Sequence, residues 1–230
     1  MVIRPVGRVR MLFFSRQFKQ ILFTSVLVLY AVGTMSQVKP KPSAGNPVVA
    51  KAISRQLKDF YKLTTEAGVV FNFPAGFKEI RVLNNEDYSF DYAMEIPGRE
   101  FEVWFQVKSQ RENWANYVRY KNDPTKSVAY PDSLYIQMAH AQASAITGDQ
   151  PYYTRDLSRE VVERYHANAG RSYLLNLADL KETKHYKYAL LLTLQKDHIG
   201  TILALCFTNE KTPEFFKDVN RMSRYIKFRS

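Results

Sequence analysis

Tyr88-Ser-Phe-Asp-Tyr-Ala-Met-Glu-Ile96, the turn dipeptide Pro97-Gly98 and Phe101-Glu-Val-Trp-Phe-Gln-Val-Lys108 decide the fold class of this 230-residue chain. Tyr88, Phe90, Tyr92, Met94 and Ile96 alternate with Ser89, Asp91, Ala93 and Glu95. Phe101, Val103, Phe105 and Val107 alternate in the same way with Glu102, Trp104, Gln106 and Lys108. Successive side chains of a strand point to opposite faces, so a period of two sets one apolar row on a core and turns the other outward. The stretch predicts an antiparallel hairpin with one face buried. Trp104, in the outward row, is a candidate contact residue.

Three more strands are expected downstream, at Ser172 to Leu177, Tyr186 to Gln195 and Thr201 to Thr208. The last two are joined by Lys196-Asp-His-Ile-Gly200 and are apolar on both faces over Ala189 to Leu194 and Ile202 to Phe207, the pattern of central strands covered on both sides. Upstream, Gly68-Val-Val-Phe-Asn-Phe-Pro-Ala-Gly-Phe77 reads as a short strand stopped by a Pro74-Ala-Gly76 turn.

Helical spacing marks the rest. Asn46 as N-cap and Pro47 as first helical residue open a helix over 47 to 62, with Val49, Ile53, Leu57 and Phe60 on one face. Residues 110 to 147 read as helical segments separated by the loop Asn122-Asp-Pro-Thr-Lys126; the second, from Leu134 to Ile146, ends at Gly148. Its Ala139, Ala141, Ala143 and Ala145 suit close approach to a sheet. A polar break from Asp149 to Asp156 leads to a short helix, Ser158 to His166, with Val161, Val162 and Tyr165 inward. Thr212 and Pro213 open a final helix carrying Phe215, Val219, Met222 and Ile226 on one face. The order predicts a single α+β domain over 48 to 230, an antiparallel sheet flanked by helices as an α/β/α sandwich.

Residues 1 to 36 have a different character. Ile21 to Gly33 form an apolar run preceded by Arg16 and Lys19 and followed by small residues, the layout of a signal peptide. A bilayer core needs about twenty apolar residues in a helix, and Thr24 and Ser25 interrupt this shorter run, so cleavage is favoured over a retained anchor. Ala31-Val-Gly33 and Thr34-Met-Ser36 both fit the small-x-small rule, the cut after Ser36 being preferred. Initiation at Met11 rather than Met1 gives the segment an ordinary length before its apolar run. Residues 37 to 47, rich in Pro, Gly and Lys, read as a linker. The expected location is the periplasm or the exterior, with membrane contact only through an uncleaved N-terminal segment.

The net charge of +11 is less telling than it looks. Arg4, Arg8, Arg10, Arg16 and Lys19 lie in the N-terminal segment, and without them 28 basic residues face 22 acidic ones. An excess of that size fits weak attraction to anionic lipid or polysaccharide, and export separates the chain from nucleic acid. The single cysteine, Cys206, lies within an apolar run, which excludes a disulfide framework and fits a small buried hydrophobe.

Val69-Val-Phe-Asn-Phe-Pro-Ala-Gly-Phe77, the aromatic meander, the mid-chain helices, the apolar strand pair 186 to 208 and the amphipathic last helix together resemble the PsbP-like α/β/α sandwich over about residues 65 to 228. The resemblance implies a non-enzymatic binding or assembly role and carries no site motif to transfer.

Chemistry-bearing motifs are sparse. His140, His166, His185 and His198 do not fall at ligand spacing, and there is no Cys pair, calcium loop, nucleophile elbow or glycine-rich phosphate loop; no metal or other cofactor is expected. Glu163 and His166, three apart on a helix, share a face on which an acid and a base can meet, but a solvated helix surface with an ion pair is the expected reading. Lys217, Arg221 and Arg224 form a basic stripe on the last helix, continued by Lys227 and Arg229; the stripe reads first as the wet face of a helix, and a binding surface for an anionic partner, shared with Trp104, is the sharper alternative. Tyr152-Tyr153 is a further aromatic candidate. The sequence thus points to an exported, non-enzymatic binding or assembly module of the cell envelope, its partner a protein or an anionic envelope component. The alternatives are an envelope hydrolase without a motif-bearing active site and a membrane-tethered subunit.

Overall fold

Gly200-Thr-Ile-Leu-Ala-Leu-Cys-Phe-Thr208 has no polar row to offer to water, so it is stable as a strand only where both of its faces are covered. In the computed structural model, which describes residues 53–230, every one of these nine residues is buried. The expected signal peptide, the Met11 start, the linker and the Asn46 cap lie outside the described residues.

The described elements run α1 (Arg55–Glu66), β1 (Val69–Phe71), β2 (Lys78–Ile80), β3 (Tyr92–Glu95), β4 (Glu102–Ser109), α2 (Arg111–Tyr120), α3 (Leu134–Thr147), β5 (Tyr153–Asp156), α4 (Arg159–Arg164), β6 (Ala169–Asn176), β7 (Tyr188–Lys196), β8 (Gly200–Thr208), α5 (Pro213–Met222) and β9 (Ile226–Phe228). Seven strands form an antiparallel sheet in the order β2-β3-β4-β8-β7-β6-β5, so β8 is its middle strand, and β1 pairs with β9 in a separate two-stranded sheet. The α+β class and the antiparallel sheet agree with the sequence reading.

Both faces of the large sheet are buried. Val103, Phe105 and Val107 of β4 join Phe60, Tyr92, Met94, Ile202, Phe215 and Met222 in one apolar cluster; Trp104, from the other row of the same strand, joins Ala139, Ala143, Leu191, Leu203 and Phe207 in a second. Helix α1 packs on β3 and β4, and α3 on β6 and β7. Of the four alanines expected to bring α3 close to the sheet, Ala139 and Ala143 do so, while Ala141 faces solvent. Gly148 ends that helix in the left-handed conformation, at φ 63°.

The hairpin forms in the expected register, Tyr92 opposite Phe105 and Glu95 opposite Glu102, but its strand begins at Tyr92 and not at Tyr88. Side chains explain the difference. The Asp91 carboxylate accepts the Val107 backbone N–H at 2.7 Å, the Asn84 side chain donates to the Phe90 carbonyl and accepts its N–H at 2.9 and 2.7 Å, and Gln106 Nε2 donates to the Ser89 carbonyl at 2.6 Å. Before Tyr92 the Asp91 N–H still donates to the Phe105 carbonyl at 2.7 Å, so two residues face Phe105, the side chains hold the remaining backbone groups, and the parity of the strand is lost: Tyr88 and Phe90 turn into the second cluster while Tyr92 and Met94 stay in the first. Ala93, Glu102, Trp104 and Gln106 of the expected outward row are therefore buried, and the half-solvated reading of β4 is corrected over these positions.

Other boundaries shift for equally local reasons. Ser54 caps α1, its Oγ accepting the Leu57 N–H at 3.0 Å, so Ile53 precedes the helix and is exposed instead of packing with Leu57 and Phe60. The polar stretch 149 to 156 contains β5, with all four residues exposed. The last helix stops at Met222; Ile226 belongs to β9, where it faces Phe71 across the small sheet.

Asp91 is pushed above the usual carboxylate range by burial, against the Val107 N–H and Lys108, which pull it down. Asp91→Ala leaves the Val107 N–H unpaired and is expected to cost about 1–3 kcal/mol in chemical denaturation, with Asp91→Asn costing less because it keeps an acceptor. Burial also raises the Tyr88 and Tyr165 hydroxyls from 10.0 to about 12. An acid whose folded-state pKa is raised supports the fold below its ordinary value and loses that support as pH rises through the folded value. Stability should accordingly fall between pH 10 and about 12, the phenolate absorbance of the two tyrosines appearing with unfolding and not before it.

Candidate functional site

The β7–β8 hairpin turns through Asp197, His198 and Ile199, with His198 at φ 62°, a conformation uncommon for a residue with a side chain. A buried carboxylate holds it there. Asp132, only 8% exposed, lies in a 3₁₀ turn at Pro131–Ser133, and its Oδ1 accepts the His198 backbone N–H at 2.8 Å and Gln195 Nε2 at 3.0 Å. The network continues inward: Thr201 Oγ1 donates to Gln195 Oε1 at 2.7 Å, Gln110 Nε2 reaches Thr201 Oγ1 at 3.5 Å, and Asn113 Nδ2 donates to Gln110 Oε1 at 2.7 Å. Gln110, Gln195 and Thr201 are all buried. The start of α2, the 3₁₀ turn and one end of the sheet are thus tied by side-chain hydrogen bonds rather than by apolar packing.

The second Asp132 oxygen is differently placed. Oδ2 lies 3.3 Å from His198 Nε2, close enough for ion pairing but outside hydrogen-bond geometry, and it has no hydrogen bond among the described residues. The imidazole is set by Trp114, whose ring stacks on it at 3.6 Å between centroids and 20° between planes. Tyr130 meets Trp114 edge-on at 5.8 Å and Tyr117 edge-on at 5.4 Å, and Trp114 lies 5.5 Å from Tyr117. The charge of Asp132 is felt around the site. Partial desolvation and then the Asp132 carboxylate raise the Tyr130 hydroxyl above its ordinary value, and the same two causes raise Asp197, against His198 and Lys196.

These rings form an open platform. Helix α2 buries none of its side chains, Trp114 and Tyr117 are half-buried, and Val118 and Tyr130 beside them are 51% and 47% exposed. Arg111, Arg119, Lys121 and Lys126 are exposed on α2 and the segment that follows it, and none of them makes an ion pair with a carboxylate among the described residues. Arg119 and Lys126 lie 5.8 and 6.0 Å from the Tyr120 ring. Such an arrangement can stack on flat apolar surfaces and hold negative charge at its rim.

The residues expected from the sequence lie elsewhere. Trp104 is 1% exposed, packed edge-on against Phe207 at 4.7 Å and close to Tyr88 and Phe90, with Nε1 3.3 Å from Glu102 Oε2; its assignment to a contact surface is corrected. The basic stripe is split. Lys217 is exposed and pairs with Glu214 at 3.6 Å, Arg224 sits in the 3₁₀ turn after α5, and Arg221 Nη2 donates to the Ala75 carbonyl at 2.6 Å while its guanidinium covers the Phe77 ring at 5.3 Å. Arg221 therefore fastens the Pro74-Ala-Gly76 turn, where a Cβ on Gly76, already at φ 80°, would meet it at 2.9 Å. Glu163 and His166 do not meet as acid and base: Arg159 Nε holds Glu163 at 2.6 Å, and His166 Nδ1 lies 3.1 Å from the Phe228 carbonyl and from Ser230 Oγ.

The platform carried one sequence signal, Trp114 and Tyr117 at i and i+3 in an expected helix, which places them side by side on one face. Nothing local marks Tyr130 or His198 as their neighbours. Among the described residues, no group of three His, Cys, Asp or Glu side chains could hold a metal ion. The Cys206 thiol is buried within β8, and burial raises its pKa.

Asp132→Ala removes the acceptor of two donors and is expected to cost about 1–3 kcal/mol and to accelerate hydrogen exchange at the His198 amide. His198→Ala, which keeps that amide bonded to Asp132, should leave its protection in place. Compared with known proteins, the chain matches no family model and no curated protein.

Proposed function

We propose that this chain is an exported, non-catalytic binding module of the cell envelope, and that the platform of α2 is its contact surface for an anionic polysaccharide. The observation that carries the reading is a helix that buries none of its side chains yet presents Trp114 and Tyr117 beside exposed Val118 and Tyr130. Aromatic rings stack on the apolar faces of sugar rings, while Arg111, Arg119, Lys121 and Lys126 outnumber Glu112 and Asp123 along 111 to 126 and suit carboxylate or phosphate groups of a polymer. Export rests on the layout of residues 1 to 36, and the finer assignment, a PsbP-like α/β/α sandwich, rests on the order of elements.

The chain has two tryptophans, of which Trp104 is buried, so a ligand-induced change in tryptophan fluorescence reports on Trp114. Titration with alginate, a uronic-acid polymer, should shift that fluorescence to saturation, more weakly at high salt, whereas neutral dextran should not. Tyr117→Ala/Tyr130→Ala, which keeps the reporter, should weaken the interaction roughly tenfold or more. Fluorescence that does not respond to alginate, or a double variant that binds as well as the parent, overturns the reading.

The hydrolase alternative has one observation in its favour, the half-exposed His198 imidazole beside the buried Asp132 carboxylate. A carboxylate behind an imidazole is an acid/base arrangement. Release of reducing ends from the polymer, lost in His198→Gln with binding retained, would favour that alternative.

A further inference from the structure

We propose that the free edge of β5 is an interaction surface for a second copy of this chain, the two β5 strands pairing antiparallel about a twofold axis to join the large sheets. A strand edge presents unpaired N–H and C=O groups, and proteins usually cover or blunt it. The far edge of the large sheet and the β9 edge of the small one are covered. Gln56 of α1 lies over the β2 edge, its Nε2 donating to the Ile80 carbonyl at 2.8 Å and its Oε1 accepting the Val82 N–H at 3.4 Å. On β9, the Phe228 N–H donates to the Tyr165 carbonyl at 2.9 Å, and the Phe228 carbonyl lies 3.1 Å from His166 Nδ1.

No such cover lies on β5 among the described residues. The strand pairs only with β6, all four of its residues are exposed, and Tyr153 is 79% exposed. Which groups face outward follows from the ladder. The register sets Asp156 opposite Arg171, hence Leu157 opposite Gly170, and the Leu157 N–H donates to the Gly170 carbonyl at 2.9 Å. Hydrogen-bonded and non-bonded pairs alternate in an antiparallel ladder, so Tyr153 and Arg155 bond toward β6, and the backbone groups of Thr154 and Asp156 point away from it.

The side chains then select one register. Pairing that sets Arg155 opposite its own copy, or Asp156 opposite its own copy, opposes like charges. Thr154 opposite Thr154 of the second copy avoids both. In that register the outward backbone groups of Thr154 bond across the axis, Tyr152 meets Asp156, and Tyr153 faces Arg155 in the closer, non-bonded pairs, where a guanidinium and a tyrosine ring attract each other twice. Arg155 is available for this, because it has no ion pair among the described residues, whereas the adjacent Asp156 is held by Arg171.

Cys206, the only cysteine, is buried, so a cysteine introduced on β5 is the single reactive thiol of the full chain. Across the twofold axis the two Thr154 Cα atoms stand about 5.5 Å apart, within disulfide range, whereas the two Asp156 Cα atoms are offset by about 13 Å along the strands. Under mild oxidation, the full-length Thr154→Cys variant should become a disulfide-linked dimer and the Asp156→Cys variant should stay a monomer. The register has a second readout in sedimentation velocity up to about 1 mM, where a millimolar association is still seen. Tyr153→Lys should abolish the dimer by facing Lys with Arg155, and Tyr153→Lys/Arg155→Glu should restore it. A Thr154→Cys variant that does not cross-link, equal cross-linking at both positions, or a dimer indifferent to Tyr153→Lys overturns the proposal.

Discussion

The burial of β8 on both faces is the constraint from which most of the structure follows. A nine-residue strand with no exposed position must be hydrogen-bonded on both sides and covered above and below. Strands β7 and β4 supply the first requirement, β7 along the whole strand from Lys196 opposite Gly200 to Tyr188 opposite Thr208, and β4 from Ser109 opposite Gly200 to Glu102 opposite Phe207. Clusters of apolar side chains, one holding Cys206 with α1 and α5 and the other holding Leu205 with α3, supply the second. Gly200 is where the middle of the sheet permits no side chain at all: a Cβ there would stand 2.8 Å from the Ala67 carbonyl and 2.9 Å from that of Lys108.

Covering both faces commits polar residues of the inner strands to the interior, and each needs a partner there. Glu102 shows how this is met. Its Oε1 accepts Lys184 Nζ at 2.5 Å and the Tyr186 hydroxyl at 3.3 Å, its Oε2 faces Trp104 Nε1, and Lys184 stands at φ 52° in the loop that delivers it. Asn84, Asp91 and Gln106 do the same for backbone groups that a longer strand would have paired. The Asp132 network belongs to this class of buried polar structure, except that one carboxylate oxygen is left without a hydrogen bond among the described residues and faces the half-exposed His198 ring. A satisfied network is rigid; an unspent acceptor at its solvent end is where chemistry or binding can be added.

What the sequence disclosed and what it withheld divide along this line. Period-two alternation and long apolar runs located β4, β6, β7 and β8, and capping chemistry placed α5 at Thr212 and Pro213 and the end of α3 at Gly148, because those signals are local. Strands β2, β5 and β9 escaped, being three or four residues long and stabilised by partners distant in the chain. The fate of Trp104 could not be read from its own strand either, since alternation shows only that its row differs from that of Val103. Whether that row is wet depends on Tyr88 and Phe90, which reach it only because Asp91 and Asn84 break the ladder. The platform escaped for the same reason: Tyr130 and His198 approach Trp114 through a loop and a hairpin turn, and no periodicity encodes that approach.

The two tryptophans make the argument for function in miniature. Both sit in apolar patterns of equal local promise, one on a strand and one on a helix with Tyr117 and Val118 on the same side. Trp104 is absorbed because a sheet face beside it needs cover. Trp114 is not, because α3 with its small Ala139 and Ala143 already lies on β6 and β7, and α2, moored at its start through Gln110 and Asn113, packs against the 3₁₀ turn rather than on the sheet. An apolar face that the core has no room for weakens solubility unless something occupies it. Its rings are moreover held in a fixed arrangement by a buried carboxylate and a stacked imidazole, so the cost of ordering them falls on folding and not on binding, which is the physical property expected of a contact surface.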